Sequence, residues 1–219
     1  MKTSVKEALR RRDLWGVAFC IYWLAMPRVI YHNIPYLFRG AEDGLPIPPL
    51  RLCSLVWGEY VDLRNFFKEQ GQLDYLFDVL AGKRANVEEF RAILDFGCGA
   101  GRAIRQVPYL KRSLEKARFP GTDIYPKQID WCKRNLPFAQ FEINTATPPL
   151  SYSKEEFDFI YTFSVFTHLS EAQQFARMGE LSNVLKPGGY LLITNSRCST
   201  VYCLGRTYGF TARAVITIS

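Results

Sequence analysis

A chain of 219 residues, 48% of them hydrophobic, is long enough for one substantial domain plus an extension and builds a buried core easily. Its formal net charge of +7 favours acidic partners or anionic surfaces, but the basic residues are scattered and no basic stripe interleaves with stacking aromatics, so no nucleic-acid partner is expected. Six cysteines, at positions 20, 53, 98, 132, 198 and 203, make no Cys-x-x-Cys pair and are accompanied by only two histidines, which argues against a metal site or a disulfide framework and for a reduced, cytoplasmic compartment.

At the start of the chain, Arg10 to Arg12 precede an uncharged run from Leu14 to Pro27. The run falls short of the ~20 residues that span a bilayer. It is rich in Trp and Tyr, and no small-residue cleavage site follows it. It reads as a buried or interfacial helix, with peripheral membrane contact open to it, rather than as an anchor or a signal peptide. Two glycines and three prolines between Gly40 and Pro49 read as a linker. Leu63 to Phe67 and Leu73 to Leu80 then read as two short helices joined at Gly71. This predicts an N-terminal helix and linker over 1–48, a helical cap over 49–91 and a ligand-binding domain over 92–219.

From Phe90 the pattern alternates. Short apolar runs at 92–96, 118–124, 138–143, 157–163 and 190–194 read as buried strands. Between them, 103–116, 126–135 and 170–185 read as helices. Pro126 suits a first helical turn, and Ser170 with Gln173 suits a capping box. Alternating strands and helices predict a Rossmann-like α/β sandwich with a mostly parallel sheet. Ligands of such sheets sit outside the carboxyl ends of the strands, so the chemistry is sought there.

The first strand ends in Asp95 and enters a loop with Gly97, Cys98, Gly99 and Gly101, followed by Arg102. A dinucleotide loop, Gly-x-Gly-x-x-Gly, wants a third glycine where Arg102 or Ile104 stands. Asp95 facing the ligand disfavours a pyrophosphate and favours a cation. S-adenosylmethionine (SAM) carries an ammonium and a sulfonium and no phosphate. Asp123, at the end of the second strand, has the spacing of a carboxylate that accepts both ribose hydroxyls, with Ile124 beside it to cover an adenine face. Asn144 and Thr145, after the third strand, are candidates for the adenine edge. Ser164 opens the segment after the fourth strand, which should lie beneath a transferable methyl. His168 in that segment is the one residue of suitable pKa for a general base, with a loop-positioning role as its alternative. Cys98 reads as a small packing residue within the loop.

Together these residues resemble the class I SAM-dependent methyltransferases, in particular a bacterial subgroup acting on small molecules. The resemblance runs from Ile93 to Thr194. It is carried by Asp95-Phe96-Gly97-Cys98-Gly99-Ala100-Gly101-Arg102, by Gly121-Thr122-Asp123, by Phe157 to Tyr161 with Ser164 to Leu169, and by Leu185 to Ile193. It implies SAM as cofactor, S-adenosylhomocysteine as product and a small-molecule acceptor methylated on oxygen or nitrogen. It also implies seven strands ending in an antiparallel hairpin. The stretch after Thr194 is short for that, with 211–218 supplying one strand, so an incomplete hairpin is expected. A SAM-binding relative without turnover is the alternative. A nicotinamide oxidoreductase is disfavoured by Asp95 and Arg102.

Overall fold

The computed structural model describes residues 27–57, 62–68, 71–82, 84–111 and 114–194. The apolar run at 14–26 and the final strand expected at 211–218 lie outside them, so neither the N-terminal helix nor the C-terminal hairpin is described. The chain divides into two compact units, residues 1–70 and 71–219.

In the first unit, helix α1 spans Pro27–Arg39, α2 spans Leu50–Trp57 and α3 spans Leu63–Lys68. Gly40 stops α1 with φ +76° and donates its N–H to the Tyr36 carbonyl at 3.1 Å. Ala41, Cys53, Leu63, Phe66 and Phe67 form the core of this unit, with Tyr36, Ile47 and Leu50 packed against it. The Tyr36 and Phe67 rings stack with centroids 5.2 Å apart.

The second unit begins with α4, Gln72–Gly82. Five strands follow: β1 Ile93–Phe96, β2 Pro120–Asp123, β3 Gln140–Ile143, β4 Phe157–Phe163 and β5 Leu185–Thr194. They form one parallel sheet in the order β3-β2-β1-β4-β5. Strand order therefore reverses beside β1, and the crevice for a ligand opens at the carboxyl ends of β1 and its neighbours. Helix α5, Pro126–Asn135, joins β2 to β3, and α6, Glu171–Val184, joins β4 to β5. The capping box forms: the Gln173 N–H donates to the Ser170 hydroxyl and the Gln173 side chain accepts from the Ser170 N–H.

Both faces of the sheet are covered, as its apolar strands require. Leu94, Phe96, Ile160, Leu191 and Ile193 point to one side, where Leu181 and Val184 of α6 meet them. The other side is aromatic. Phe159 lies against Phe77 of α4 and Phe90, and the line continues through Tyr161 to Phe163.

Two expectations change. The helix expected over 103–116 is a 3-10 helix confined to Ile104–Tyr109. Pro108 accounts for the loss of an α-helix: it has no N–H to donate, and its ring crowds the carbonyl of the preceding turn. The last strand begins at Leu185 rather than Tyr190. Leu185 pairs with Phe157 and Tyr190 with Phe159, so Lys186 to Gly189 bulge out of register within one strand. Asp158 holds that corner together. Its carboxylate accepts from Lys186 Nζ at 2.7 Å, from the Arg91 N–H at 2.7 Å and from the Ala92 N–H at 2.9 Å.

Candidate cofactor site

The loop after β1 is closed by its own backbone. The N–H groups of Gly97 and Cys98 both donate to the Thr122 carbonyl, at 2.8 and 3.1 Å. The Gly99 N–H donates to Asp123 Oδ2 at 2.9 Å and the Gly101 N–H to the Cys98 carbonyl at 2.9 Å. A phosphate cradle needs such N–H groups turned outward; these four are turned into the protein. Gly97 sits at φ +81°, and a Cβ there would collide with Val165 Cγ2 in the turn after β4. The glycine loop and the β4 turn are thus interlocked. Cys98 is buried; its Sγ lies 3.8 Å from the Gly99 carbonyl, and burial pushes its thiol pKa well up, as suits a packing residue.

Asp95 is the least satisfied polar group of the site. It is 2% exposed, and its Oδ2 has no hydrogen-bond partner. Burial pushes its pKa up from 3.8 to about 7. The Tyr161 hydroxyl and the Arg102 guanidinium pull it down, and the Asp123 charge pushes it up. Tyr161 is paired in register with Asp95 on β4, yet its hydroxyl also lacks a partner in full hydrogen-bond geometry. The Arg102 guanidinium lies 5.9 Å from the centre of the Phe163 ring. Two aligned but unsaturated groups and a nearby cation describe a carboxylate kept ready for a further donor.

Asp123, buried at the end of β2, accepts from the Gly99 N–H through Oδ2 and from the Tyr125 N–H through Oδ1 at 3.0 Å. Burial raises its pKa, and these backbone donors oppose the rise. A carboxylate has about four acceptor positions, so two remain for ligand hydroxyls. Ile124 and Tyr125 follow it, both exposed, and Ile143 is exposed at the end of β3. Large apolar side chains in the open at two adjacent strand ends suit a flat aromatic ligand.

Asn144 follows β3. Its Oδ1 is buried without a partner, and its N–H donates to the Asp123 carbonyl at 3.0 Å. The Thr145 hydroxyl instead donates within its own loop, to the Thr147 carbonyl at 2.5 Å. Ser164 ends β4 at φ +58°, a strained value for a residue with a side chain. Its N–H donates to Thr194 Oγ1 at 3.2 Å, which ties the turn to the end of β5. His168 closes the 3-10 turn Phe166–His168, exposed to solvent, and among the described residues its ring has no hydrogen-bond partner.

Three site residues escape the sequence reading. Tyr161 looks like one more aromatic of an apolar strand until the register sets it beside Asp95. Tyr125 and Ile143 flank predicted site residues but carry no motif of their own. Arg177, on α6, is a fourth and more distant participant. It is 2% exposed, donates through Nη2 to the Thr145 carbonyl and lies 5.5 Å from the centre of the Phe96 ring. It therefore connects the loop after β3 to the end of β1. Among the described residues, no group of three His, Cys, Asp or Glu side chains is placed to hold a metal ion.

Residues 94–193 match the family model described as a methyltransferase domain. Those residues, just under half of the chain, carry a methyltransferase domain. That domain is 32% identical over 122 residues to a phthiotriol/phenolphthiotriol dimycocerosates methyltransferase of Mycobacterium ulcerans, covering 55% of this chain and 40% of that protein. It is 30% identical over 115 residues to a fatty-acid O-methyltransferase of Mycolicibacterium smegmatis, covering 52% of this chain and 40% of that protein. The chain thus spans less than half the length of these curated relatives. Among solved structures it is similar to a SAM-bound amino pentose methyltransferase from Micromonospora echinaspora, with 23% identity, a TM-score of 0.45 and coverage of 56% of this chain and 50% of that one.

Proposed function

We propose that the chain transfers the methyl group of SAM to an oxygen or nitrogen of a small-molecule acceptor, with a lipid hydroxyl or carboxyl as the first acceptor to try. The observation that carries the cofactor is the pairing of an inward-donating glycine loop with an unsatisfied Asp95. Four of the loop's N–H groups are thereby turned away from a phosphate, while Asp95 offers a carboxylate to a cation. The second orphaned acceptor, Asn144 Oδ1, suits the amino group of adenine. Both fit a ligand that brings donors rather than anionic oxygens. The lipid acceptor rests on what the two mycobacterial relatives are named for.

When bound, SAM supplies a methyl group on a sulfonium that already leaves readily. The protein's task is then positioning and exclusion of water. Asp95 holds the ammonium, with Arg102 and Tyr161 tuning its charge. Asp123 takes the ribose hydroxyls, and Ile124, Tyr125 and Ile143 cover the adenine. Ser164 and the turn it begins, locked by Val165 against Gly97, set the floor beneath the methyl carbon. These residues would then have to orient the acceptor toward that methyl group and keep water away. The acceptor proton leaves to His168 or, from an acid, is already gone.

Calorimetric titration with SAM, S-adenosylhomocysteine and NAD tests the reading. Binding of the first two is expected; binding of NAD alone would sink it. With a long-chain fatty acid or alcohol as acceptor, His168→Ala is expected to lower kcat on the alcohol by about 10²-fold and to spare SAM affinity, as loss of a general base does. Equal turnover on both acceptors would return His168 to a positioning role.

A further inference from the structure

Helix α1 turns an apolar stripe outward. A surface helix ordinarily buries an apolar stripe and shows a polar one. Among the described side chains of α1, the inward anchors are polar or amphipathic. Asn33 is fully buried and its Oδ1 accepts the Leu63 N–H at 2.8 Å. His32 Nδ1 lies 3.1 Å from Asp62 Oδ2, and Tyr36 stacks on Phe67. The opposite side carries Tyr31, Ile34 and Phe38, which are 73%, 42% and 85% exposed. Their i, i+3, i+7 spacing puts them in one stripe. The inner face is already satisfied by α3 and its approach, so the outer stripe is not a spare core face.

We propose that this outer face of α1 docks on an anionic lipid surface. The helix contains no acidic residue, and Arg39 stands exposed at its last turn beside Phe38. The sequence running into it, Leu14 to Pro27, is uncharged and holds Trp15, Tyr22 and Trp23, with Arg10 to Arg12 ahead of it. Trp and Tyr favour the membrane–water boundary, and arginines beside them favour anionic headgroups. A second copy of a chain with net charge +7 would be repelled, whereas an anionic bilayer attracts it and meets Arg39 at the end of the stripe. The inference is independent of methyl transfer, which concerns the other unit.

The full chain is to be sedimented with vesicles of phosphatidylcholine and phosphatidylglycerol and, in parallel, with phosphatidylcholine alone. Binding to the anionic vesicles is expected, weakening as salt rises. Tyr31→Ser with Phe38→Ser should reduce that binding about tenfold or more, as loss of interfacial apolar area does. Phe175→Ser, which removes an exposed aromatic from α6, should not change it. Phe38→Ser alone replaces the pair should the double variant fold poorly by circular dichroism. The proposal is overturned if the parent ignores anionic vesicles or binds neutral ones equally. It is also overturned if the stripe variants bind as well as the parent or no worse than Phe175→Ser. A lipid-free dimer that the stripe variants dissolve would assign the face to a second copy instead. No cofactor or turnover enters the assay, so it fails separately from the methyltransferase reading.

Discussion

Asp95 and Asp158 stand on adjacent strands of the same sheet and have opposite fates. Asp158 lies where β4 begins and meets three donors: the Lys186 ammonium and two backbone N–H groups. Burial alone would raise its pKa, but those donors outweigh it and hold the carboxyl below the usual range. Asp95 lies at the other end of the sheet, more deeply buried, with one oxygen unpartnered and its pKa pushed up to about 7. A carboxylate whose neighbours complete its hydrogen bonds is architecture. One that is buried and left incomplete lowers stability and marks a candidate functional group.

The sharpest way to break this contrast is Asp95→Asn. A folded pKa near 7 against 3.8 means that the folded chain holds a proton the unfolded chain has released, so stability falls as pH rises between those values. The neutral variant should therefore be more stable than the parent above pH 7, by on the order of 3–4 kcal/mol at most, while binding SAM ~10²-fold more weakly. Thermal melts at pH 8 and calorimetry measure the two. A variant that is both less stable and unaltered in binding would make Asp95 structural.

Asp158→Asn should do the reverse, costing roughly 2 kcal/mol in thermal or urea unfolding, with SAM affinity kept. Its folded pKa is depressed, so its contribution is fully present well above pH 3.8 and is lost as pH falls from there through the lower folded value. The variant's deficit should accordingly close in acid. A deficit that stays constant down to pH 3 would assign the loss to packing.

Arg177 sharpens the comparison at smaller scale. Arg177→Met should weaken SAM binding about threefold to tenfold, because the loop bearing Asn144 loses the donor to its Thr145 carbonyl. Arg177→Lys should restore part of the loss, and the Kd ratio of the two variants checks it. Equal affinity in parent, Met and Lys forms would confine Arg177 to packing against Phe96.

β1 and β4 were legible because they are buried and nearly uninterrupted in apolar residues, whereas β3 is exposed at three of its four positions. β4 and α5 fall where the pattern puts them, and the Ser170–Gln173 capping box forms as its spacing requires. The order Asp95, glycine loop, Asp123 points to a candidate site because each stands near the end of an expected strand, and the parallel pairing of β1 and β2 makes those ends neighbours. What was not legible depends on contacts distant in sequence. Arg177 carries no signal in the sequence, and only the fold lays it across Phe96 to reach Thr145. Tyr161 gains meaning from its pairing with Asp95. The helix after the glycine loop was a failure of another kind. Pro108 was visible, and its local restriction outweighs the apolar periodicity around it. The outward stripe of α1 likewise needs Asn33 and Asp62 placed, since periodicity alone would bury Tyr31 and Phe38.

The central claim is that Asp95 is an incomplete carboxylate awaiting a cationic ligand. The most direct test is the SAM Kd of the parent and of Asp95→Asn between pH 5.5 and 7.2, a window in which the ligand's ammonium stays protonated. The parent should bind about tenfold or more tightly at the upper pH, because binding must first release the Asp95 proton. The variant should show a much flatter profile. Matching profiles for the two proteins would contradict the account.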